Sequence, residues 1–120
     1  MENTVENNRL IAEFMGLKPV NVFGGWSVSK DHVSVNSATE EEAMQSFCKS
    51  TKYDSDWNWL MEVIKEIADK TGFQLTLGED YSYWNNQGEN PFTIDYGGYN
   101  NINSVYEAVV DLIKWHNSNK

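Results

Sequence analysis

The sequence predicts an α+β sandwich, in which helices pack against a small, mostly antiparallel sheet. Two observations predict this class. Apolar residues recur at helical spacing in several separate segments, and short runs between those segments alternate apolar and polar residues with a period of two. The chain has 120 residues, a length typical of one domain. We therefore expect a single domain over residues 1–120.

The first predicted helix runs from about Thr4 to Met15, where apolar residues recur at spacings of three and four. Thr4 can cap its start, and Gly16 suits the left-handed conformation that commonly ends a helix. Pro19 follows three residues later and prevents the helix from continuing.

Three short strands are predicted next, at Val20–Phe23, Trp26–Val28 and His32–Val35. Gly24-Gly25 separates the first two strands. This dipeptide predicts a two-residue type I′ turn, because both central positions of that turn need a positive φ.

A short helix is predicted from Ser37 to Cys48. Its start matches two capping boxes, Ser37 with Glu40 or Thr39 with Glu42. The buried edge of this helix is expected to contain Ala43, Met44, Phe47 and Cys48.

The strongest amphipathic pattern predicts a longer helix that is capped by Asp54 or Ser55 and stops at Thr71-Gly72. Its expected buried stripe consists of Trp57, Leu60, Met61, Ile64 and Ala68, widened by Val63 and Ile67.

Two alternating runs, Phe73–Leu77 and Phe92–Tyr96, predict strands. The segment from Gly78 to Asn90 between them is polar and aromatic, and we interpret it as a long loop of the kind that often carries function. The last helix is predicted to begin at Ser104, which forms a capping box with Glu107.

Charge excludes several classes of partner. The net charge is −9, and the chain has one arginine, Arg9. Duplex nucleic acid and anionic membranes require clustered Lys or Arg, so we expect neither as a partner. No stretch is long and apolar enough for a membrane span. The single cysteine excludes an internal disulfide, and no secretory signal is apparent at the N-terminus, so we expect a cytoplasmic protein.

No motif indicates catalysis. Cys48 with His32 or His116 would supply a thiol and a base, but no local sequence context supports such a pairing. The acidic clusters lack metal-ligand spacing, and the Gly-Gly pairs lack the spacing of phosphate-binding loops. We therefore expect no enzymatic activity, no metal and no cofactor.

The unusual signal is the aromatic content, which is 13% of the chain with 5 Trp, 6 Tyr and 5 Phe. Several rings fall outside the amphipathic stripes and stand near asparagines. One interpretation is that these rings are structural, in a loop folded over the sheet or in an oligomer contact. The other interpretation is a ligand pocket in which rings stack on a base while amides read its edges. The candidate ligand-binding residues are Arg9, Trp26, His32, Tyr81, Tyr83, Trp84, Asn85, Asn86, Tyr99 and Asn100.

Three segments carry a resemblance to a known family: Asn8–Gly16, Tyr53–Met61 and Ser104–Asn117. Together they resemble the phage ABA-sandwich domain family and cover about a third of the chain. The resemblance implies a three-layer α/β/α sandwich encoded by phages or prophages, and it implies no catalytic residue. In such a layering we expect the first and last helices on one face of the sheet and the Trp57 helix on the other.

Two functional hypotheses follow. The first is a phage accessory protein in the host bacterial cell that sequesters a small ligand, such as a nucleotide-type immune signal, without chemistry. In this hypothesis the protein is a homo-oligomer, since a small sandwich has few places to enclose a nucleotide alone. The alternative is an adaptor or inhibitor that docks on a host or phage protein through an acidic, aromatic surface.

Overall fold

The computed structural model describes residues 4–30, 33–85 and 96–118. The chain divides into two compact units, Met1–Thr51 and Lys52–Lys120. The predicted α+β class is confirmed: the described residues form four helices and two separate three-stranded sheets, and every strand pairing is antiparallel. One small sheet is predicted from the sequence, whereas the strands form two sheets, one in each unit.

The first unit consists of α1 (Thr4–Phe14), β1 (Val20–Val22), β2 (Gly25–Lys30), β3 (Val33–Ser37) and α2 (Glu40–Ser50). The strand order is β1-β2-β3. Helix α2 packs against β2 and β3, and α1 packs against α2. The buried core lies between the helices and the sheet and consists of Ala12, Val28, Ala43, Met44, Phe47 and Cys48. The predicted buried edge of α2 is therefore confirmed.

The helix ends of this unit follow the sequence closely. Gly16 adopts a φ of 81°, as expected for the residue that ends α1. The Thr39 hydroxyl accepts the backbone N–H of Glu42 at 3.2 Å, so the second of the two proposed capping boxes supplies the cap of α2.

The first hairpin turn lies one residue earlier than predicted. Val22 pairs with Gly25, so the two turn residues are Phe23 and Gly24. Their φ values are 51° and 84°. The prediction of a turn at Gly24-Gly25 was wrong because the strand pairing places Gly25 in β2 and puts a phenylalanine where glycine or asparagine is favoured.

The second unit consists of α3 (Trp57–Thr71), β4 (Gln74–Leu77), β5 (Tyr81–Asn85), β6 (Tyr96–Gly97) and α4 (Ile102–Ser118). The strand order is β4-β5-β6. The segment predicted as a loop thus contains β5. Residues 92–95 of the predicted strand Phe92–Tyr96 lie outside the described residues.

Helices α3 and α4 contact each other, while α3 also packs against β4 and α4 against β5 and β6. The expected layering placed these two helices on opposite faces of one sheet. Their direct contact shows that they do not flank a sheet in that way, because a sheet between them would hold them apart.

The capping residues of the second unit differ from those predicted. Asp56, not Asp54 or Ser55, caps α3, since its carboxylate accepts the Asn58 N–H at 2.8 Å. Helix α4 begins at Ile102, and the Asn101 side chain accepts the Asn103 N–H at 3.2 Å. Ser104 lies inside the helix, so its predicted role as the cap was wrong.

The buried face of α3 is rotated from the predicted stripe. The buried residues are Trp59, Leu60, Val63, Ile64 and Ile67. Met61 is 43% exposed, although it was placed in the stripe. Trp59 packs edge-on against Tyr53, with ring centroids 5.1 Å apart. This aromatic contact explains the rotation, because it draws the Trp59 side of the helix into the core.

Candidate functional site

One face of the second sheet carries a row of tyrosines. Tyr81, Tyr83 and Asn85 alternate along β5 with Ser82 and Trp84, and alternate residues of a strand point to opposite faces. Tyr81 is 55% exposed, and Tyr83 and Asn85 are half-buried. The tyrosine rings are nearly parallel, with planes 12° apart and centroids 6.2 Å apart. Two neighbouring rings therefore share one orientation on an open surface.

Strand β4 extends this row with polar side chains. Gln74 pairs with Asn85, and Thr76 pairs with Tyr83. Residues directly opposite in an antiparallel pair share a face. Gln74 and Thr76 are both exposed. We call the surface formed by Gln74, Thr76, Tyr81, Tyr83 and Asn85 the tyrosine face; it combines two phenol rings with two amides and the hydroxyl of a threonine.

Trp84 lies on the opposite face of the sheet and belongs to the core. Its side chain is 0% exposed, and its indole N–H donates to the Ala108 carbonyl of α4 at 2.8 Å. A ring enclosed on all sides offers no face for stacking. This placement corrects the prediction that Trp84 binds ligand: the residue anchors α4 to β5.

Tyr99 approaches the start of β5 through the backbone. The Tyr99 N–H donates to the Gly78 carbonyl at 2.9 Å, and the Gly78 N–H donates to the Tyr81 carbonyl at 2.8 Å. Tyr99 is 52% exposed, and Asn100 after it is also exposed. Two exposed tyrosines thus flank the turn between β4 and β5.

Gly98 makes this close approach possible. A Cβ atom at Gly98 would overlap the backbone oxygens of Gly78 and Glu79. Any other residue would force the segment before α4 away from the β4–β5 turn. The position of Tyr99 next to Tyr81 therefore depends on this glycine.

The charge around the tyrosine face is negative. Glu79 and Asp80 are exposed and directly precede Tyr81. At the start of α4, the Asn103 N–H is already taken by the Asn101 side chain. These groups disfavour a phosphate next to the rings, because carboxylates repel anions and a capped helix end has fewer free donors.

Arg9, the predicted phosphate ligand, lies in the first unit and is engaged by carboxylates. Its guanidinium donates to both oxygens of Glu41, at 2.5 and 2.9 Å, and to Glu13 at 3.4 Å. The hydrogen bond to Glu41 is the main reason why the pKa of Arg9 is raised, and it lowers the pKa of the Glu41 carboxyl. Arg9 thus holds α1 to α2.

A cavity of about 360 Å³ opens beside this ion pair. It is lined by Arg9, Glu13, Leu17, Lys18, Pro19, Glu40, Glu41 and Met44. Three carboxylates face two cations, so the lining carries no positive excess that would select an anion.

The remaining predicted site residues are Trp26, His32 and Asn86. Trp26 is half-buried and packs against the core of the first unit, so its ring is mainly structural. His32 and Asn86 lie outside the described residues. The structure thus brings together Tyr81, Tyr83 and Asn85, places Tyr99 and Asn100 nearby, and separates them from Trp84.

Gln74 and Thr76 belong to this face but are absent from the residues predicted from the sequence. The signal was present in the alternation of Tyr81-Ser82-Tyr83-Trp84-Asn85, which separates Trp84 from the two tyrosines once the segment is read as a strand. The alternation at Phe73–Leu77 then supplies the neighbouring strand.

Within the described ranges the single cysteine is buried and no metal-binding cluster is found. Burial raises the pKa of the Cys48 thiol to about 11, so this thiol stays neutral at physiological pH. Residues 4–30, 33–85 and 96–118 contain no group of three or more His, Cys, Asp or Glu side chains that could hold a metal. None of the helices in those ranges is long and apolar enough to cross a membrane.

No family model, curated protein or solved structure matches this chain. The resemblance to the phage ABA-sandwich domain family therefore stays a prediction.

Proposed function

We propose that this protein binds a small ligand with a flat ring, of the nucleobase or nucleoside type, on the tyrosine face and does not transform it. The observation that supports the proposal most directly is the parallel arrangement of Tyr81 and Tyr83, with ring planes 12° apart. Such rings offer stacking surface, and the exposed Gln74 amide can both donate and accept hydrogen bonds at a base edge.

The expected affinity is modest. Stacking contributes on the order of 1–3 kcal/mol per base, and two or three hydrogen bonds add about 1 kcal/mol each. A total of about 3–6 kcal/mol corresponds to a Kd between about 6 mM and 0.04 mM. Sequestration of a nucleotide immune signal, the first hypothesis from the sequence, would need tighter binding than this face alone supports.

The neighbouring charges favour an uncharged ligand over a polyphosphate. Glu79 and Asp80 stand beside Tyr81, and Arg9 is paired with Glu41 in the first unit. A nucleobase or nucleoside avoids the electrostatic cost that a phosphate would meet here. The proposal therefore ranks adenosine or guanosine above the corresponding triphosphates.

Ligand-observed NMR with adenosine, guanosine, cytidine and their triphosphates tests the proposal. We expect saturation transfer to the nucleosides, and we expect the variant Tyr81→Leu to weaken binding at least threefold without loss of folding. Leu retains an apolar side chain at an exposed position but lacks the flat ring. The matched control is Phe23→Leu, which removes an exposed ring from the first unit.

Two results would contradict the proposal. One is the absence of binding by every nucleoside at millimolar concentration. The other is an equal loss of binding in Tyr81→Leu and Phe23→Leu, which would show that the tyrosine face has no particular role.

A second candidate function is an adaptor that docks on another protein through this same surface. It is favoured by the exposure of Tyr81 and Tyr99, 55% and 52%, beside the carboxylates of Glu79 and Asp80. Exposed tyrosines are frequent anchors of protein interfaces. Nucleoside binding that fails while a purified protein partner binds wild type and not Tyr81→Leu would favour the adaptor.

A further inference from the structure

Three of the four residues from Val20 to Phe23, at one edge of the first sheet, leave apolar side chains in solvent. Val20 is 53% exposed, Val22 44% and Phe23 104%. Strand β1 is an outer strand, since the order in the sheet is β1-β2-β3. Outer strands with apolar side chains are templates for pairing with another chain. We call residues Val20–Phe23 the β1 edge.

Phe23 is unfavourable for the isolated chain. Its φ of 51° lies in the left-handed region, which bulky residues rarely adopt. Its side chain is fully exposed, so packing within the described part of the chain does not compensate for this backbone. Asn-Gly is the dipeptide that such a turn favours. A partner that covers the Phe23 ring would bury its apolar surface and so offset the unfavourable backbone conformation.

The backbone of β1 is arranged for pairing about Asn21. A two-residue turn is closed by a hydrogen-bonded pair, here Val22 with Gly25, and the next such pair is Val20 with Ser27. Asn21, between them, directs its N–H and C=O away from β2 and toward the open edge. Asn21 is itself exposed.

This geometry is self-complementary. If two copies of β1 run antiparallel with Asn21 opposite Asn21, the two residues exchange two backbone hydrogen bonds across a two-fold axis. The same register sets Val20 of each copy opposite Val22 of the other. These two pairs are of the non-hydrogen-bonded kind, in which side chains lie closest.

Charge also permits a second copy at this edge. The whole chain carries −9, yet residues 19–29 contain no charged side chain. Two copies that met through strongly acidic surfaces would repel each other, whereas here no carboxylate of the strand opposes another.

The geometry points to the β1 edge as the interface of a homodimer, in which two β1 strands pair antiparallel about Asn21 and bury Val20, Val22 and Phe23. This inference is independent of the proposed ligand site, which uses residues of the second unit. The interface is small: a phenylalanine buries at most about 250 Å², and interfaces below about 1,200 Å² are weak or transient. We therefore expect a micromolar or weaker dimer.

Sedimentation equilibrium of the full chain from about 1 µM to about 1 mM spans the range of weak dimers and tests the inference. Val22→Lys places a charge on the edge, and we expect it to raise the dimer Kd at least tenfold. The matched control is Ser34→Lys, because Ser34 is exposed on β3 of the same sheet and pairs with Ser29 of β2. The control should leave the Kd within twofold of wild type.

Phe23→Asn gives a second, more specific readout. We expect this variant to melt at a higher temperature as a monomer, because asparagine suits the turn, while its dimer dissociates at least tenfold more readily. A purely structural role for Phe23 would not move these two measurements in opposite directions.

Three outcomes would overturn the inference. The chain could remain monomeric up to about 1 mM, above the range of specific weak dimers. It could form an oligomer that neither Val22→Lys nor Phe23→Asn weakens. Or Ser34→Lys could weaken the dimer as much as Val22→Lys does, which would indicate a general charge effect.

Discussion

Replacement of Trp84 by alanine tests whether this indole supports the core or a ligand. The side chain is 0% exposed and its N–H donates to the Ala108 carbonyl at 2.8 Å. A buried indole removes up to about 250 Å² from water, which at about 25 cal/mol per Å² gives about 6 kcal/mol as an upper bound. Alanine retains part of this, and large-to-small substitutions of buried aromatics cost about 3–5 kcal/mol. We expect Trp84→Ala to lower the free energy of unfolding by about 4 kcal/mol.

Two companion variants separate the contributions. Trp84→Phe keeps an aromatic ring but loses the N–H donor, and we expect a smaller loss of about 1–3 kcal/mol. Tyr81→Ala changes an exposed ring on the same strand and should cost less than about 0.5 kcal/mol. Urea denaturation followed by far-ultraviolet circular dichroism measures all three. A folded Trp84→Ala that loses less than about 1 kcal/mol would refute the core role, because no filled core position tolerates such a deletion so easily.

Three further predictions concern single contacts. Because burial raises the pKa of Cys48 from 9.0 to about 11, a thiol reagent should label it only after unfolding. Rapid labelling of the native protein would contradict the burial of this thiol. The raised folded-state pKa of Cys48 also means that the free energy of unfolding should fall as pH rises from about 9 toward about 11. Gly98→Ala should cost about 1–3 kcal/mol through overlap with the Gly78 and Glu79 carbonyls, and an unchanged melting temperature would disprove the overlap. Glu41→Gln should lower the melting temperature slightly at neutral pH; since Arg9 lowers the folded-state pKa of Glu41, the difference should vanish as pH falls through that pKa, and a difference that persists in acid would exclude the ion pair as its cause.

The helices were the most predictable part of the fold. Their apolar spacing identified all four, and Thr39 and Gly16 set two of their ends as expected. The caps at Asp56 and Asn101 were missed by one to three residues. Polar residues cluster before both helices, so several side chains could cap each helix. Which residue becomes the N-cap depends on where packing starts the first turn.

The sheets were less predictable because pairing is a long-range property. Gly24-Gly25 is a strong local turn signal, but the register with β2 decides which residues occupy the turn and placed Phe23 there instead. The division of the strands between two sheets likewise depends on contacts between distant segments, which local patterns do not contain.

The candidate site was partly predictable. Composition identified the aromatic segment, and Tyr81, Tyr83 and Asn85 share one face as a possible site requires. Composition alone could not separate Trp84, since an indole serves a core and a binding surface equally well. Strand alternation supplies that distinction, and it was not applied because the segment was interpreted as a loop.

The neighbouring residues Asn8 and Arg9 attach α1 to α2 in two unlike ways. The Asn8 amide donates to the Cys48 carbonyl at 3.2 Å in the interior, whereas Arg9 pairs with Glu41 in solvent. Salt screens the exposed pair and spares the buried bond. At rising ionic strength the contact at Arg9 should therefore weaken first, while the Asn8 bond and the buried packing of Ala12 continue to hold α1.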